Sequence, residues 1–203
     1  MATVRTETQY LGPHSNGILL SPWEFDAAEF EVGCRYELVN GVVIVNPPPS
    51  LAERDPNEEL GRWLRNYQDS DAQGGSLDFT VAEQTVHIGA NRRRVDRAIW
   101  AGLGRLPHKT ETPTIAVEFV SAGRRSRERD YQLKRDEYRS AGVSEYWVLD
   151  RFERSLTVYR FGPGPMTRKV LTERQTYTTA LLPGFKLPLA RLFPLMDRWS
   201  DHA

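Results

Sequence analysis

One cysteine, Cys34, is all the thiol the chain has. An internal disulfide is therefore excluded, and so is a zinc site built from four thiolates. Histidine is almost as scarce: His14, His87, His108 and His202 are scattered and show no metal-ligand spacing. No apolar run approaches the ~20 residues of a membrane-crossing helix, and the first twenty residues or so lack the basic start and continuous apolar stretch of a secretory signal. Net charge is missing too, since Lys plus Arg number 27 and Asp plus Glu also number 27. Non-specific coating of nucleic acid calls for a basic surplus, so any such contact here has to be local. What is present is a core: 39% of the residues are apolar and 10% aromatic, which excludes global disorder. The expectation is a soluble, cytoplasmic, globular protein with no membrane partner.

Residues 1–20 are polar with Gly and Pro and read as an extended arm, residues 21–195 as a single domain, and residues 196–203 as a tail. Ser21-Pro22-Trp23-Glu24 is a capping box with Pro at the first helical position, and Gly33 is the expected stop. Asp55-Pro56-Asn57-Glu58 predicts a second helix start, leading into Leu60, Trp63, Leu64 and Tyr67 on one apolar face. Between them, Tyr36–Val39, Asn40-Gly41 and Val42–Val45 spell a hairpin, because Asn-Gly suits a type I′ turn. Phe79–Ile88 and Val95–Trp100 predict two strands joined by Gly89-Ala90-Asn91 and an arginine run. Ile115–Val120 predicts a buried strand, Ser126–Ala141 a helix ended by Gly142, and Tyr146–Leu149 with Ser155–Phe161 a second hairpin. This order suits an α/β or α+β domain.

The informative positions break the apolar pattern. A two-residue turn pairs Glu37 with Ile44 on a strand whose two faces are both apolar, so Glu37 is expected to be buried. Glu118 shares a strand face with Ala116 and Val120, and Asp96 shares one with Ala98 and Trp100. Lys134 lies on the stripe marked by Tyr131 and Tyr138 and should reach toward the sheet. The plain alternative is a set of structural ion pairs, with Asp130 as a surface partner of Lys134. Three acids and a lysine on inward faces equally suit a hard divalent cation such as Mg²⁺ with a water-orienting ammonium beside it, and the pattern by itself leaves both readings open.

These residues carry a resemblance. Asp96, Val117-Glu118-Phe119-Val120-Ser121, Asp130, Lys134, Tyr138, Gly142-Val143 and Glu145-Tyr146-Trp147 resemble the putative restriction endonuclease family of the PD-(D/E)XK nuclease superfamily. Tyr36–Gly41 with Pro47-Pro48-Pro49-Ser50 resembles its opening hairpin, and Leu181–Phe185 through Phe193 its closing segment. The resemblance implies a restriction endonuclease-like fold, a mixed central β-sheet flanked by helices. It implies a metal-dependent endonuclease acting on DNA, with Asp96, Glu118 and the Phe119 carbonyl on Mg²⁺ or Mn²⁺. Glu37 would join them directly or through water, and Lys134 would position the attacking water. Three departures stand out. Val95 replaces the proline before the aspartate, and Val120 stands where the wider superfamily has its lysine. Glu53 and Arg54 lie near the place of an expected histidine.

Arg92, Arg93, Arg94 and Arg97 bracket Asp96, while Arg124, Arg125, Arg127 and Arg129 fall between Glu118 and Lys134. The first four with Arg124, Arg125 and Arg127 are the expected phosphate contacts, if they are not simply solvated loops. No recognition-helix pattern supports sequence-specific reading. DNA is the expected partner, and nothing in the sequence separates it from RNA. A catalytically inactive nuclease-fold protein that binds DNA or a protein partner is the competing reading. Flat paired strands and short hairpins suit a homodimer.

Overall fold

A computed structural model of the chain describes residues 8–70, 72–123 and 128–199. In chain order the elements are β1 (Tyr10–Leu11), α1 (Pro22–Ala27), β2 (Glu29–Phe30), β3 (Arg35–Val39), β4 (Val42–Asn46) and α2 (Leu51–Ser70). They continue with β5 (Leu77–Ile88), β6 (Asn91–Ala101), β7 (Ile115–Phe119), α3 (Lys134–Ser140) and β8 (Glu145–Asp150). The last are β9 (Ser155–Arg160), β10 (Thr167–Thr172), β11 (Thr176–Thr179), β12 (Leu182–Pro188) and α4 (Leu189–Asp197). Contacts divide the chain into two compact units, Met1–Pro48 with His87–Arg94, and Pro49–Val86 with Val95–Ala203.

The first unit is built on the Asn-Gly hairpin. Asn40 and Gly41 have φ of 51° and 80°, the left-handed pair a type I′ turn requires. Val39 then faces Val42, and Glu37 faces Ile44. Ser21 caps α1, accepting the Glu24 N–H at 3.3 Å while Glu24 accepts the Ser21 N–H at 2.7 Å. The helix stops at Ala27 instead of running toward Gly33, because Glu29–Phe30 pairs in parallel with Tyr10–Leu11. Phe30 also packs between Phe25, edge-on, and Tyr36, tilted, with ring centroids 5.1 Å away on each side. Part of the expected arm is therefore built in: Leu11 and Leu20 join Phe25, Tyr36, Leu38 and Val43 in a small core.

The arginine run, expected as a loop, is strand. Arg92 lies opposite Leu38 on β3, and its guanidinium forks onto Asp26 at 2.8 and 2.7 Å.

In the second unit the strand order is β10-β9-β8-β7-β6, with β5 beside β6. β7 and β8 run parallel, whereas β6–β7, β8–β9 and β9–β10 run antiparallel. Alternation puts Ile115, Val117 and Phe119 of β7 and Trp147 and Leu149 of β8 on one face. They pack there against Leu60 and Leu64 of α2, Leu192 and Phe193 of α4, and the β11–β12 hairpin. Residues 129–140 cover the other face. The fold is thus mixed α and β, a mostly antiparallel sheet between helices, as the order of elements leads one to expect.

Helix α2 begins earlier than its Asp55-Pro56 signal. Ser50 is the effective start, since its N–H and hydroxyl both donate to Glu53 at 2.7 Å. Pro56 consequently lies inside the helix, where its missing N–H leaves the Ala52 carbonyl without its helical partner.

Glu145, at the start of β8, ties the β11–β12 hairpin to the sheet. It is buried and accepts from Trp147 Nε1 (2.9 Å), Tyr177 OH (2.8 Å), Thr179 OH (2.8 Å) and Arg160 Nε (2.9 Å). Glu145→Ala strands several buried donors at once, so a loss of about 3–5 kcal/mol is expected. Urea denaturation reads this directly, and a loss below about 1 kcal/mol would show that the hairpin is held by packing alone.

Candidate active site

The side chains that matter here sit where β6 and β7 meet in the second unit. Arg97 faces Val117 and Ala98 faces Ala116, so the register continued by one residue brings Asp96 across from Glu118 on the same face. Antiparallel partners of this kind have Cα atoms about 5 Å apart. Both carboxylates are buried, at 5% and 2% exposure. Asp96 Oδ2 accepts the Phe119 N–H at 2.7 Å, taking a bond the strand ladder would otherwise make. The next peptide is held as well, by the Val120 N–H on the Leu149 carbonyl at 2.9 Å. In a trans peptide the carbonyl points opposite to that N–H, so the Phe119 carbonyl faces the β6 side.

Residues 129–140 lie over this face. Arg129–Leu133 form a wide π-turn that continues into α3. The expected start of this helix, Ser126 and Arg127, lies outside the described residues. The inward stripe is Asp130, Lys134 and Tyr138, all buried, rather than the Tyr131–Lys134–Tyr138 line expected from spacing. Tyr131 points its hydroxyl at Asp150, 3.2 Å away. The wide turn accounts for the difference, because it shifts the helix phase ahead of Lys134. Lys134 Nζ is 2.9 Å from Glu118 Oε1 and 3.8 Å from Asp130 Oδ1. Tyr138 OH donates to the same Glu118 oxygen at 2.7 Å, and Tyr146 OH to the Asp130 carbonyl at 2.9 Å. Asp130 is therefore a buried neighbour of the lysine and not a surface partner.

Burial pushes the Glu118 carboxyl up to about 8; the Lys134 ammonium opposes this shift, and the charges of Asp96 and Asp130 add to it. The folded protein then holds a proton that the unfolded chain has released above its ordinary value of 4.5. The stabilisation from this group is fully present below that value and is lost as pH rises through about 8. Metal-free protein should lose stability across this window, and Glu118→Gln, which never ionises, should flatten the profile. Parallel profiles for the two proteins would show that Glu118 does not titrate there.

Glu37 belongs to the first unit. It is buried, with Oε1 accepting the Arg94 N–H at 2.9 Å and Oε2 lying 3.6 Å from the Arg93 guanidinium. The second unit itself brings together Asp96, Glu118, Lys134 and the Phe119 carbonyl. Among the described residues no group of three or more His, Cys, Asp or Glu side chains is arranged to hold a metal ion.

The arginines need correcting. Arg92, Arg93 and Arg97 are buried and spoken for, so they form no open grip on phosphate. Arg92 is held by Asp26, Arg93 by Glu37, and Arg97 by Asn57 and Thr80. They fail the expectation because β6 is buried on both faces, so Arg92 and its neighbour Arg93, pointing opposite ways, each find a partner inside the protein. Arg94 is half-buried on the same strand. Arg124, Arg125 and Arg127 lie outside the described residues.

Two residues that the sequence gives no site role are placed beside the site by α2. Asn57 sits one turn before Leu60 on the inward face of α2, and its amide donates to the Asp96 carbonyl at 2.8 Å. Glu53, one turn earlier still, accepts the Ser121 hydroxyl just beyond β7. Both occupy the Leu60–Leu64 stripe, so the signal was a polar residue where the helix period demands an apolar one.

A family model described as Putative restriction endonuclease (Uma2) matches residues 22–190. No curated protein matches the chain. Among solved structures, the chain is similar to the crystal structure of a putative nuclease belonging to DUF820 from Anabaena variabilis ATCC 29413. The TM-score is 0.68 at 14% identity, covering 87% of this chain and 99% of that one. At that identity the likeness shows the fold.

Proposed function

Because the chain belongs to the putative restriction endonuclease family, we propose that it is a metal-dependent endonuclease hydrolysing DNA phosphodiester bonds. The observation that carries this reading is the buried contact of Lys134 Nζ with Glu118 Oε1 at 2.9 Å, on the sheet face that Asp96 shares. A surface ion pair needs no such burial, and a buried cation beside two acids is costly unless the site has work for it.

Asp96 and Glu118 with the Phe119 carbonyl fit Mg²⁺ or Mn²⁺, which need only one or two carboxylates and fill the remaining positions with water and phosphate. When bound, such an ion lowers the pKa of a water and stabilises charge developing on the phosphate. The protein's own groups set the stage for that. Asp96 holds the Phe119 peptide, and with it the carbonyl that follows. Tyr138 and Lys134 hold one Glu118 oxygen, which fixes the plane of the carboxylate. The Lys134 ammonium orients the attacking water and offsets the negative charge of the scissile phosphate.

The test is a nuclease assay on single-stranded, duplex and branched DNA and on RNA, with and without Mg²⁺ or Mn²⁺. Metal-dependent strand scission supports the proposal; no product with any substrate and either metal overturns it. One observation favours the competing reading of a nuclease-fold protein that binds DNA or a protein without cutting. Glu118 Oε1 is already shared by Lys134 and Tyr138, as in a purely structural network. Calorimetric titration with Mn²⁺ separates the two, because a closed network has no coordination position to offer.

A further inference from the structure

Behind Asp96, on the opposite face of β6, lies a buried cation. Arg97 is 4% exposed, and among the described residues no carboxylate is within ion-pair distance of it. Its Nε donates to the Asn57 side-chain oxygen at 2.7 Å, its Nη2 to the Asn57 main-chain carbonyl at 2.8 Å, and its Nη1 to Thr80 Oγ1 at 3.3 Å. Gly61 makes the room: a Cβ there would stand 2.5 Å from Nη2. Glu58 attracts this charge only from beyond contact, and burial outweighs that attraction, so the cation is held at a net cost that its hydrogen bonds to neutral groups do not fully return. An apolar side chain would fill this space more cheaply, so the arginine needs a purpose besides packing.

What it grips is both oxygens of one residue. With those taken, the Asn57 amide is left to donate, and it donates to the Asp96 carbonyl. The β6–β7 ladder ends at Arg97, one residue short of Asp96. Besides the pairing of β6 with β5, Asp96 is held by the Phe119 N–H at its side chain and by the Asn57 amide at its backbone carbonyl. We propose that Arg97 and Asn57 are positioning residues for Asp96. Arg97 orients Asn57, and Asn57 holds the strand at the height from which the Asp96 carboxylate meets Glu118. The inference rests on the reading of Asp96 as a metal ligand.

Asn57→Asp is the discriminating variant. A carboxylate keeps an acceptor for Arg97 and completes an ion pair with it, but loses the donor to Asp96. A merely structural role for Asn57 is preserved or improved by that change. The added negative charge by itself favours a cation, so a loss of metal affinity has to come from geometry. The expected result is a melting temperature near that of wild type, Mn²⁺ affinity reduced about tenfold or more, and slower cleavage with KM for DNA unchanged. Arg97→Met should behave alike; if either variant fails to fold, Arg97→Lys carries the test, since one ammonium cannot hold both Asn57 oxygens. Amide exchange of Phe119, whose N–H sits on Asp96, is followed in the same proteins and should quicken about tenfold. Wild-type Mn²⁺ affinity together with wild-type Phe119 protection in the variants overturns the inference. If the wild-type protein itself neither binds Mn²⁺ nor cuts, the proposed function is what fails. Phe119 exchange then decides alone: faster in the variants supports the positioning chain, and unchanged rejects it.

Discussion

Glu118→Gln is expected to lower metal-dependent cleavage more than about a thousandfold, equivalent to ~4 kcal/mol in the transition state, while the fold survives. The amide keeps an oxygen for Tyr138 OH and Lys134 Nζ, so the buried contacts at 2.7 and 2.9 Å have a replacement. What goes is the negative charge that a divalent ion needs. The same logic selects the variant at Asp96. Its Oδ2 is the acceptor for the buried Phe119 N–H, so Asp96→Ala orphans that donor at a cost of about 1–3 kcal/mol. Asp96→Asn offers an oxygen in the same place and should lose cleavage with little loss of stability. Measuring Mn²⁺ affinity, cleavage rate and denaturation midpoint together separates the outcomes. A structural network predicts the reverse pattern, with stability falling in both variants and no metal effect in the wild type.

Lys134→Met should slow cleavage at least about a hundredfold, roughly 3 kcal/mol, with metal binding retained. Methionine keeps the apolar stem that passes through the α3–sheet interface and removes the ammonium. The ammonium comes from the helix, since the residue two after Glu118, just beyond β7, is the buried Val120. Lys134→Arg should not restore the rate. A planar guanidinium is too broad for a position 2.9 Å from Glu118 Oε1 and 3.8 Å from Asp130 Oδ1. Full activity in Lys134→Met would move the catalytic cation elsewhere. Arg97 is not the substitute, since it lies on the other face of β6 against Asn57.

Local signals of short range were readable without coordinates. Asn40-Gly41 specified its turn because only two residues must accept positive φ, and the register of Glu37 opposite Ile44 follows by counting. Burial of Glu37, Asp96, Glu118 and Lys134 was likewise legible, since each interrupts an apolar face at a known period. Signals that compete with a distant partner misled. The end of α1 was decided by Tyr10–Leu11, which drew Glu29–Phe30 into a parallel pair that no local rule announces. The arginine run looks solvated in sequence, yet as strand residues Arg92 and Arg93 turn to Asp26 and Glu37 instead of water. Asp130 passed for a surface partner because its phase depends on the wide turn at Arg129–Leu133. By itself the sequence determined that the apolar faces, and the charges Glu37, Asp96, Glu118 and Lys134 that interrupt them, are buried, through the two periods of strand and helix. Tertiary structure alone decided which other polar groups meet, because partners such as Asn57 and the Asp96 carbonyl, or Glu53 and Ser121, are brought together by packing between elements and not by spacing along the chain.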